Sequence, residues 1–146
     1  MFNKERAPNF EANPVVKISD INSLLGYDQI IDEISKAIEV KKKENGKVCV
    51  VIDCYHGVDQ KEILDNLVSK LDADLMINSE QAKYPEEIIF DKFKKFIVPE
   101  DRTYGVFSVG YLTEFFNNDD VISLREEIDH TDGVIIIYGV GASIIH

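Results

Sequence analysis

The hydrophobic residues of this chain fall into short continuous runs, separated by longer stretches with helical spacing. The continuous runs have the length and composition of buried strands and comprise Val48–Ile52, Leu75–Ile77, Tyr104–Ser108 and Val134–Tyr138. The stretches between them place apolar residues three or four positions apart, which is typical of amphipathic helices. Strands that alternate with helices predict a mainly parallel α/β sheet, and we expect three layers with helices on both faces.

Residues that favour helix ends mark the boundaries of these helices. The first helix is predicted over Tyr27–Asn45 and ends before Gly46. The second begins at Asp59, whose spacing to Glu62 is that of a capping box. The two later helices are predicted to begin at residues typical of a first turn or an N-cap, namely Pro85, and Asp119 or Asp120.

The length and composition are those of a single globular domain. The chain has 146 residues, of which 45% are hydrophobic, enough for one core of ordinary size. Residues 1–13 are polar, and we interpret them as a flexible N-terminal arm that precedes one α/β domain over residues 14–146. Because the strongest predicted strand lies close to the last residue, we also expect the chain to be a fragment of a longer protein.

The charge and the cysteine content argue against several classes of partner. The formal net charge is −11, so the phosphates of nucleic acids or anionic membranes would be repelled from most of the surface. The two cysteines do not make a disulfide framework, and no apolar run has transmembrane length. We therefore expect a cytoplasmic protein that binds neither nucleic acid nor a membrane.

The segment after the first predicted strand lies where a phosphate loop would be. In nucleotide-binding α/β proteins such a loop carries several glycines, followed by Lys and then Ser or Thr. Here residues 53–59 read Asp-Cys-Tyr-His-Gly-Val-Asp, with Gly57 as the single glycine. Lys61 is near the position of the phosphate-binding lysine, but Gln60 precedes it and Glu62 follows it. The pattern predicts a P-loop-kinase-like architecture whose phosphate loop is degenerate.

Ligands of parallel α/β sheets bind beyond the carboxyl ends of the strands. Four segments are predicted to meet there, residues 53–59, 78–84, 108–111 and 139–143, and they form a polar and aromatic mouth that includes Glu80, Tyr84 and Tyr111. The candidate ligand-binding residues in or beside these segments are Asp53, Tyr55, His56, Gly57, Asp59, Lys61, Gly139, Gly141 and Ser143.

Several of these candidates have a structural interpretation as well as a functional one. His56 could act as a general base, or it could be a loop histidine hydrogen-bonded to its neighbours. Asp53 could hold a metal-bound water, or it could fix the turn that follows the strand. We favour the structural interpretation for both. Asp59 is expected to cap the second helix and so to occupy any anion site at its first turn.

The glycines after the last strand form a second possible motif. Gly139 and Gly141 would permit either a tight turn or close approach of the backbone to a ligand. As a nucleotide motif the pattern is incomplete, and the chain is expected to end before the helix that would complete it. The histidines have no metal-ligand spacing, and nothing near Cys54 and His56 indicates an activated thiol. We therefore assign no catalytic residue, no metal and no cofactor to this chain.

Three segments of the chain resemble a known group of proteins. The segments VVIDCYHGVD, DRTYGVFSVGYLTEFF and GVIIIYGVGAS are similar to the N-terminal region of long bacterial class I mannose-6-phosphate isomerase-like proteins. Those proteins carry a uridine-kinase-like domain ahead of a cupin isomerase domain. The resemblance covers most of the chain from about Lys17 onward. It implies that isomerase chemistry and its zinc ligands belong to a separate C-terminal cupin, which would be the partner of this domain.

Three hypotheses follow from the residues and the resemblance together. The first is a catalytically degenerate kinase-like binding or regulatory domain, from a protein of carbohydrate metabolism, that binds a sugar phosphate or a nucleotide. The second is an active nucleoside or sugar kinase with an atypical loop that uses Asp53 and Lys61. The third is an interaction domain without a small ligand. The missing Gly-Lys-Ser/Thr sequence favours the first and third hypotheses over the second.

Overall fold

A three-stranded parallel sheet forms the centre of the fold. The structure is a computed structural model and describes Val15 and residues 23–97 and 110–146. The strands are β1 (Val48–Asp53), β2 (Leu75–Asn78) and β3 (Val134–Gly139), in the spatial order β1-β3-β2. These strands confirm three of the four predicted core strands and their parallel direction. The fourth, Tyr104–Ser108, lies outside the described residues, as does the predicted arm over residues 1–13.

The last strand of the chain is the middle strand of this sheet. Val48 of β1 is in register with Val134, and Leu75 of β2 is in register with Ile135, so β3 is hydrogen-bonded along both edges. All six residues of β3 are buried. A run of four β-branched residues suits such a position, because both faces of the strand must be covered by apolar side chains.

The two faces of β3 contribute to two separate hydrophobic clusters. Since successive side chains of a strand point to opposite faces, Ile135 and Ile137 belong to one cluster, and Val134, Ile136 and Tyr138 belong to the other. The first cluster also contains buried residues that lie close to or within later helical elements, including Ala82, Phe116, Val121, Ile128 and Ile145. The second also contains Ile38, Leu67, Val68 and Leu71. The fold is therefore a mixed α/β structure with apolar packing on both sides of its central strand.

The described helices are α1 (Gly26–Asn45), α2 (Gln60–Asn66), α3 (Glu86–Phe93), α4 (Asn118–His130) and α5 (Ala142–Ile145). Short 3₁₀ turns cover Val68–Lys70, Ser79–Ala82, Lys94–Phe96 and Leu112–Phe115. Helix α3 differs from α1 and α4 in that none of its residues is buried. Within the described residues, no helix combines the length and the apolar character that crossing a membrane requires.

Most helix boundaries agree with the prediction, and one does not. Gly46 ends α1 with φ of 75°, and its N–H donates to the carbonyl of Lys42 at 2.8 Å. Helix α4 is capped by Asn117, whose Oδ1 accepts the N–H of Asp119 at 3.0 Å. The predicted caps Asp119 and Asp120 are therefore wrong. They lie in the first turn, where carboxylates complement the helix dipole, and the amide of Asn117 serves as the cap.

The end of the chain contains a helix that was not predicted. We expected the chain to finish before any helix could follow the last strand. A short helix, α5, begins at Ala142 directly after Gly141. Four residues are too few to show a helical period in the sequence, so this element was not visible before the fold was known.

Candidate functional site

The carboxyl ends of the three strands meet at one edge of the sheet. Asp53, at the end of β1, is in register with Gly139 at the end of β3, and Asn78, at the end of β2, is in register with Tyr138. The loops that follow these residues therefore lie side by side. This is the edge at which parallel α/β sheets bind their ligands.

Asp53 binds the loop that follows β3. Its carboxylate accepts the N–H of Gly141 at 3.0 Å and the N–H of Ser143 at 3.2 Å, and it also accepts a short hydrogen bond from the Ser143 hydroxyl. Three of the sequence-derived candidates, Asp53, Gly141 and Ser143, are thus brought together. We call these three residues the Asp53 cluster. Their hydrogen-bonding groups are directed at one another.

These contacts affect the pKa of Asp53. Partial burial raises the pKa of the Asp53 carboxyl, but the hydrogen bonds from Ser143, Gly141 and Ala142 outweigh burial and hold the pKa below its usual range. A carboxylate that accepts several N–H and O–H groups is stabilised in its ionised form. The ionised carboxylate of Asp53 is therefore hydrogen-bonded to the loop after β3.

The glycines at the end of β3 are needed for close packing within the protein. Gly139 has φ of 116°, and a Cβ atom there would lie 2.5 Å from the hydroxyl oxygen of Ser79. Ser79 is fully buried and donates to the carbonyl of Val140 at 2.8 Å. Gly141 has φ of 75°, and a Cβ there would lie 2.7 Å from the ring of Phe116. Both glycines allow the chain to turn against a crowded neighbour, which fits the tight-turn interpretation.

Polar groups in and beside the segment that resembles a phosphate loop are also hydrogen-bonded within the protein. Asp59 is the N-cap of α2, as predicted, and accepts the N–H groups of Lys61 at 2.9 Å and Glu62 at 3.2 Å. The ammonium of Lys61 forms a short hydrogen bond with Asp65 on the same helix, and this bond raises the pKa of Lys61. The capping box is not completed, because the Glu62 carboxylate accepts the hydroxyl of Tyr27 at 3.0 Å.

The remaining loop candidates, Tyr55, His56 and Gly57, differ in their surroundings. Tyr55 is 85% exposed. Gly57 has φ of 97°, with open space where a side chain would be. His56 lines a cleft, and its imidazole forms no hydrogen bond within residues 23–97 and 110–146. Of the nine candidates, His56 is the one that lies in this cleft.

The cleft has a volume of about 640 Å³ and lies beyond the ends of all three strands. The segment after each strand contributes to the lining: His56 follows β1, Val140 follows β3, and β2 is followed by Glu80, Lys83 and Tyr84. The other walls come from the start of α3 and from the turn over residues 112–115. The full set of lining residues is His56, Glu80, Lys83, Tyr84, Glu86, Ile89, Leu112, Phe115, Phe116 and Val140.

Two aromatic contacts hold the walls of the cleft together. The ring of Phe115 stacks on Phe93 of α3, with centroids 4.5 Å apart and planes at 10°. The ammonium of Lys92 lies 3.8 Å from the ring centroid of Tyr84 and donates to the carbonyl of Glu114 at 3.1 Å. Helix α3 is thereby tied to the turn over residues 112–115, although it buries no residue of its own.

The polar groups of the cleft are only partly paired. The Glu80 carboxylate accepts hydrogen bonds from Gln60 at 3.1 Å and from Lys83 at 3.3 Å. The hydroxyl of Tyr84 and the carboxylate of Glu86, like the imidazole of His56, form no hydrogen bond or ion pair with the described part of the chain. The cleft therefore combines apolar walls with three polar groups that are available to a ligand.

Sequence reasoning found part of this cleft and missed the rest. Glu80 and Tyr84 were expected in the mouth, and both line it. Lys83 and Val140 lie within two of the predicted segments, residues 78–84 and 139–143, although neither was singled out. The lining residues outside all four segments are Glu86, Ile89, Leu112, Phe115 and Phe116. The sequence did carry one signal, because the predicted third helix has an apolar face that includes Ile88, Ile89 and Phe93, and an apolar helix face indicates a contact surface. Among residues 23–97 and 110–146, no three His, Cys, Asp or Glu side chains lie close enough to hold a metal ion.

Comparisons with known proteins give a family but no function. The model of a protein family described as "Domain of unknown function (DUF8485)" matches residues 26–146, a range that begins at the first residue of α1. No curated protein and no solved structure matches the chain significantly.

Proposed function

The chain belongs to the family described as "Domain of unknown function (DUF8485)", and we propose that it is a catalytically degenerate, kinase-like domain that binds a small molecule in the cleft. The observation that carries this proposal is the composition of the cleft. It receives at least one residue from the segment after each strand, its walls are mainly apolar, and three of its polar groups are unpaired within the described residues. Concave apolar sites with a few convergent polar groups are typical of small-molecule binding.

The absence of phosphoryl transfer is supported by the groups around the degenerate loop. A phosphate at the first turn of α2 would need the N–H groups that Asp59 already accepts. The lysine near the phosphate-binding position is paired with Asp65. The loop after β3 is filled by the carboxylate of Asp53. Three acidic side chains of the protein thus engage the groups that a nucleotide kinase would direct at its substrate.

The wider architecture is part of the same proposal. We propose a three-layer, P-loop-kinase-like fold, supported by the two clusters on opposite faces of β3. The resemblance over residues 17–146 supports a role as the regulatory domain of a mannose-6-phosphate isomerase-like protein. In such a protein a zinc-containing cupin would be a separate domain. Binding of a small molecule in the cleft would regulate that cupin domain.

A screen of small molecules tests the binding proposal. The purified 146-residue chain is examined by thermal shift and by titration calorimetry against anionic, neutral and cationic fragments, together with ATP–Mg, uridine and mannose 6-phosphate. Leu112→Asn removes one apolar wall of the cleft and is expected to weaken a cleft ligand by about tenfold, since part of one leucine side chain is worth roughly 1–1.5 kcal/mol. Leu112 is 49% exposed, so the variant should still fold.

The matched control is Ile122→Asn on α4. Ile122 is 45% exposed, like Leu112, but it does not line the cleft, so this variant should bind as the wild type does. Failure of every compound to bind, or equal loss of binding in both variants, would contradict the proposal. ATP-dependent phosphorylation of any screened compound by the wild type would instead support the active-kinase alternative.

A further inference from the structure

We infer that the ligand of the cleft is an organic amine, a molecule with one ammonium group on an apolar body. This inference rests on the proposed function and adds the chemical class of the ligand. It depends on three properties of the cleft: the balance of charges along its walls, the groups in it that are already paired, and its apolar surface.

The charges of the cleft leave one carboxylate without a counter-ion. Two carboxylates, Glu80 and Glu86, and one ammonium, Lys83, line it. Lys83 forms its ion pair with Glu80 at 3.3 Å. The Glu86 carboxylate has no ion pair or hydrogen bond within the described residues. A single positive charge on the ligand would restore the balance, and complementary charge is what selects a ligand of one sign over the other.

The nearby groups that could bind a phosphate or carboxylate ligand already form hydrogen bonds within the protein. Lys92, the next cation beside the cleft, donates to the Glu114 carbonyl and covers the Tyr84 ring. The N–H of Glu80 is taken by the side chain of Asn78 at 3.0 Å. The available polar groups are the Glu86 carboxylate, the Tyr84 hydroxyl and the His56 imidazole, all of which can accept a hydrogen bond from a ligand N–H.

The rest of the cleft accommodates an apolar body. Four large apolar residues belong to the lining, Ile89, Leu112, Phe115 and Phe116. Leu112 is 49% exposed, so a ligand lying against it would remove apolar surface from water. Aromatic rings also attract ammonium groups through their π faces. The site therefore suits a cation with a hydrophobic substituent better than a free metal ion or a sugar phosphate.

Three probes with the same apolar body test the charge preference. They are 2-phenylethylamine, 2-phenylethanol and 2-phenylethyl phosphate, titrated into the 146-residue chain at low ionic strength and followed by calorimetry and by NMR shifts of the cleft residues. The amine is expected to bind about fivefold more tightly than the alcohol, the upper value for a partly exposed ion pair. The phosphate ester is expected to bind most weakly, and added salt should reduce the advantage of the amine.

Two neighbouring glutamates provide a matched pair of variants. Glu86→Gln should lower the affinity for the amine about fivefold and leave the affinity for the alcohol unchanged. Glu87→Gln removes the same charge one residue further along α3, outside the lining of the cleft, and should change neither affinity. Tightest binding of the phosphate ester, or an amine preference that survives Glu86→Gln, would overturn the inference.

The same measurements separate this inference from the proposed function. If the three probes fail while only compounds without an ammonium group bind in a Leu112-dependent manner, the charge preference is wrong and the binding function stands. If the alcohol or the phosphate ester binds in the cleft as tightly as the amine, the charge preference alone is again wrong. If no compound binds there at all, both proposals fail.

Discussion

Two regions at the same edge of the sheet differ in whether their polar side chains are paired. In the Asp53 cluster, the carboxylate of Asp53 accepts hydrogen bonds from Gly141 and Ser143. In the cleft beside it, the polar groups of His56 and Glu86 have no partner within the described residues. The polar groups of the first region bond to one another, and the second region keeps side-chain polar groups that form no hydrogen bond within the described residues.

The comparison shows why a motif alone was a poor guide to the site. The residues that look most like a nucleotide motif, a loop with glycines and a strand-end aspartate, are the ones that bond to each other. A polar group that is already paired gains little from a ligand, because binding must first break the existing bond. The groups with unused bonding capacity identify the cleft more directly.

The largest predicted effect concerns the packing at the end of β3. Gly139→Ala places a Cβ atom 2.5 Å from the buried Ser79 hydroxyl at φ of 116°, and we expect it to lower the free energy of unfolding by about 3 kcal/mol or more. Gly57→Ala is the control, since φ is 97° there with no atom within 4 Å, and should cost about 1 kcal/mol. Urea denaturation measures both. Equal costs would mean that the end of β3 is loosely packed.

The next effect tests whether Asp53 is structural. Asp53→Asn keeps the shape of the side chain but loses an ionised acceptor, and we expect a loss of about 1–2 kcal/mol at pH 7, allowing for the partial exposure of the site. Asp72→Asn is the control, because Asp72 is exposed and forms no hydrogen bond within the described residues, and it should change stability by less than about 0.5 kcal/mol. Denaturation curves that coincide for the two variants would argue against a structural role.

The pH dependence of the stability of the wild type and of Asp53→Asn sharpens this test. Since the pKa of Asp53 is lowered in the folded state, its contribution is fully present above its unfolded pKa of about 3.9 and is lost as the pH falls through the lower folded pKa. The stability gap between wild type and Asp53→Asn should therefore narrow below about pH 4. A gap that stays constant down to pH 2 would show that the charge of Asp53 does not contribute.

The smallest effect concerns the cap of α2. Asp59→Ala removes the acceptor of the Lys61 and Glu62 N–H groups, and we expect it to cost about 1 kcal/mol. Asp59→Gly should cost less, because glycine at an N-cap lets water reach the same groups. Asp65→Ala is the control, since it breaks only the exposed ion pair with Lys61, worth less than about 0.5 kcal/mol. Chemical denaturation should give this order, and a different order would refute the assignment of the cap.

The sequence predicted the elements well where a single segment contains all the information. The runs at β1, β2 and β3, the end of α1 at Gly46 and the cap at Asp59 are local patterns, and the structure confirms each of them. The cap of α4 was misplaced because Asn117 and Asp119 are both good capping residues. Only the hydrogen bond from the Asp119 N–H to Asn117 distinguishes them.

What the sequence by itself determined is the three described strands, their parallel direction and the edge at which their carboxyl ends meet, since these follow from periodicity and from the alternation of elements. Only the tertiary structure decided the strand order β1-β3-β2, which brings residues 53 and 143 together. It also decided that the cleft is lined by α3 and the turn over residues 112–115. Which polar groups are paired and which are free depends on contacts between residues up to 90 positions apart, and no local pattern contains that information.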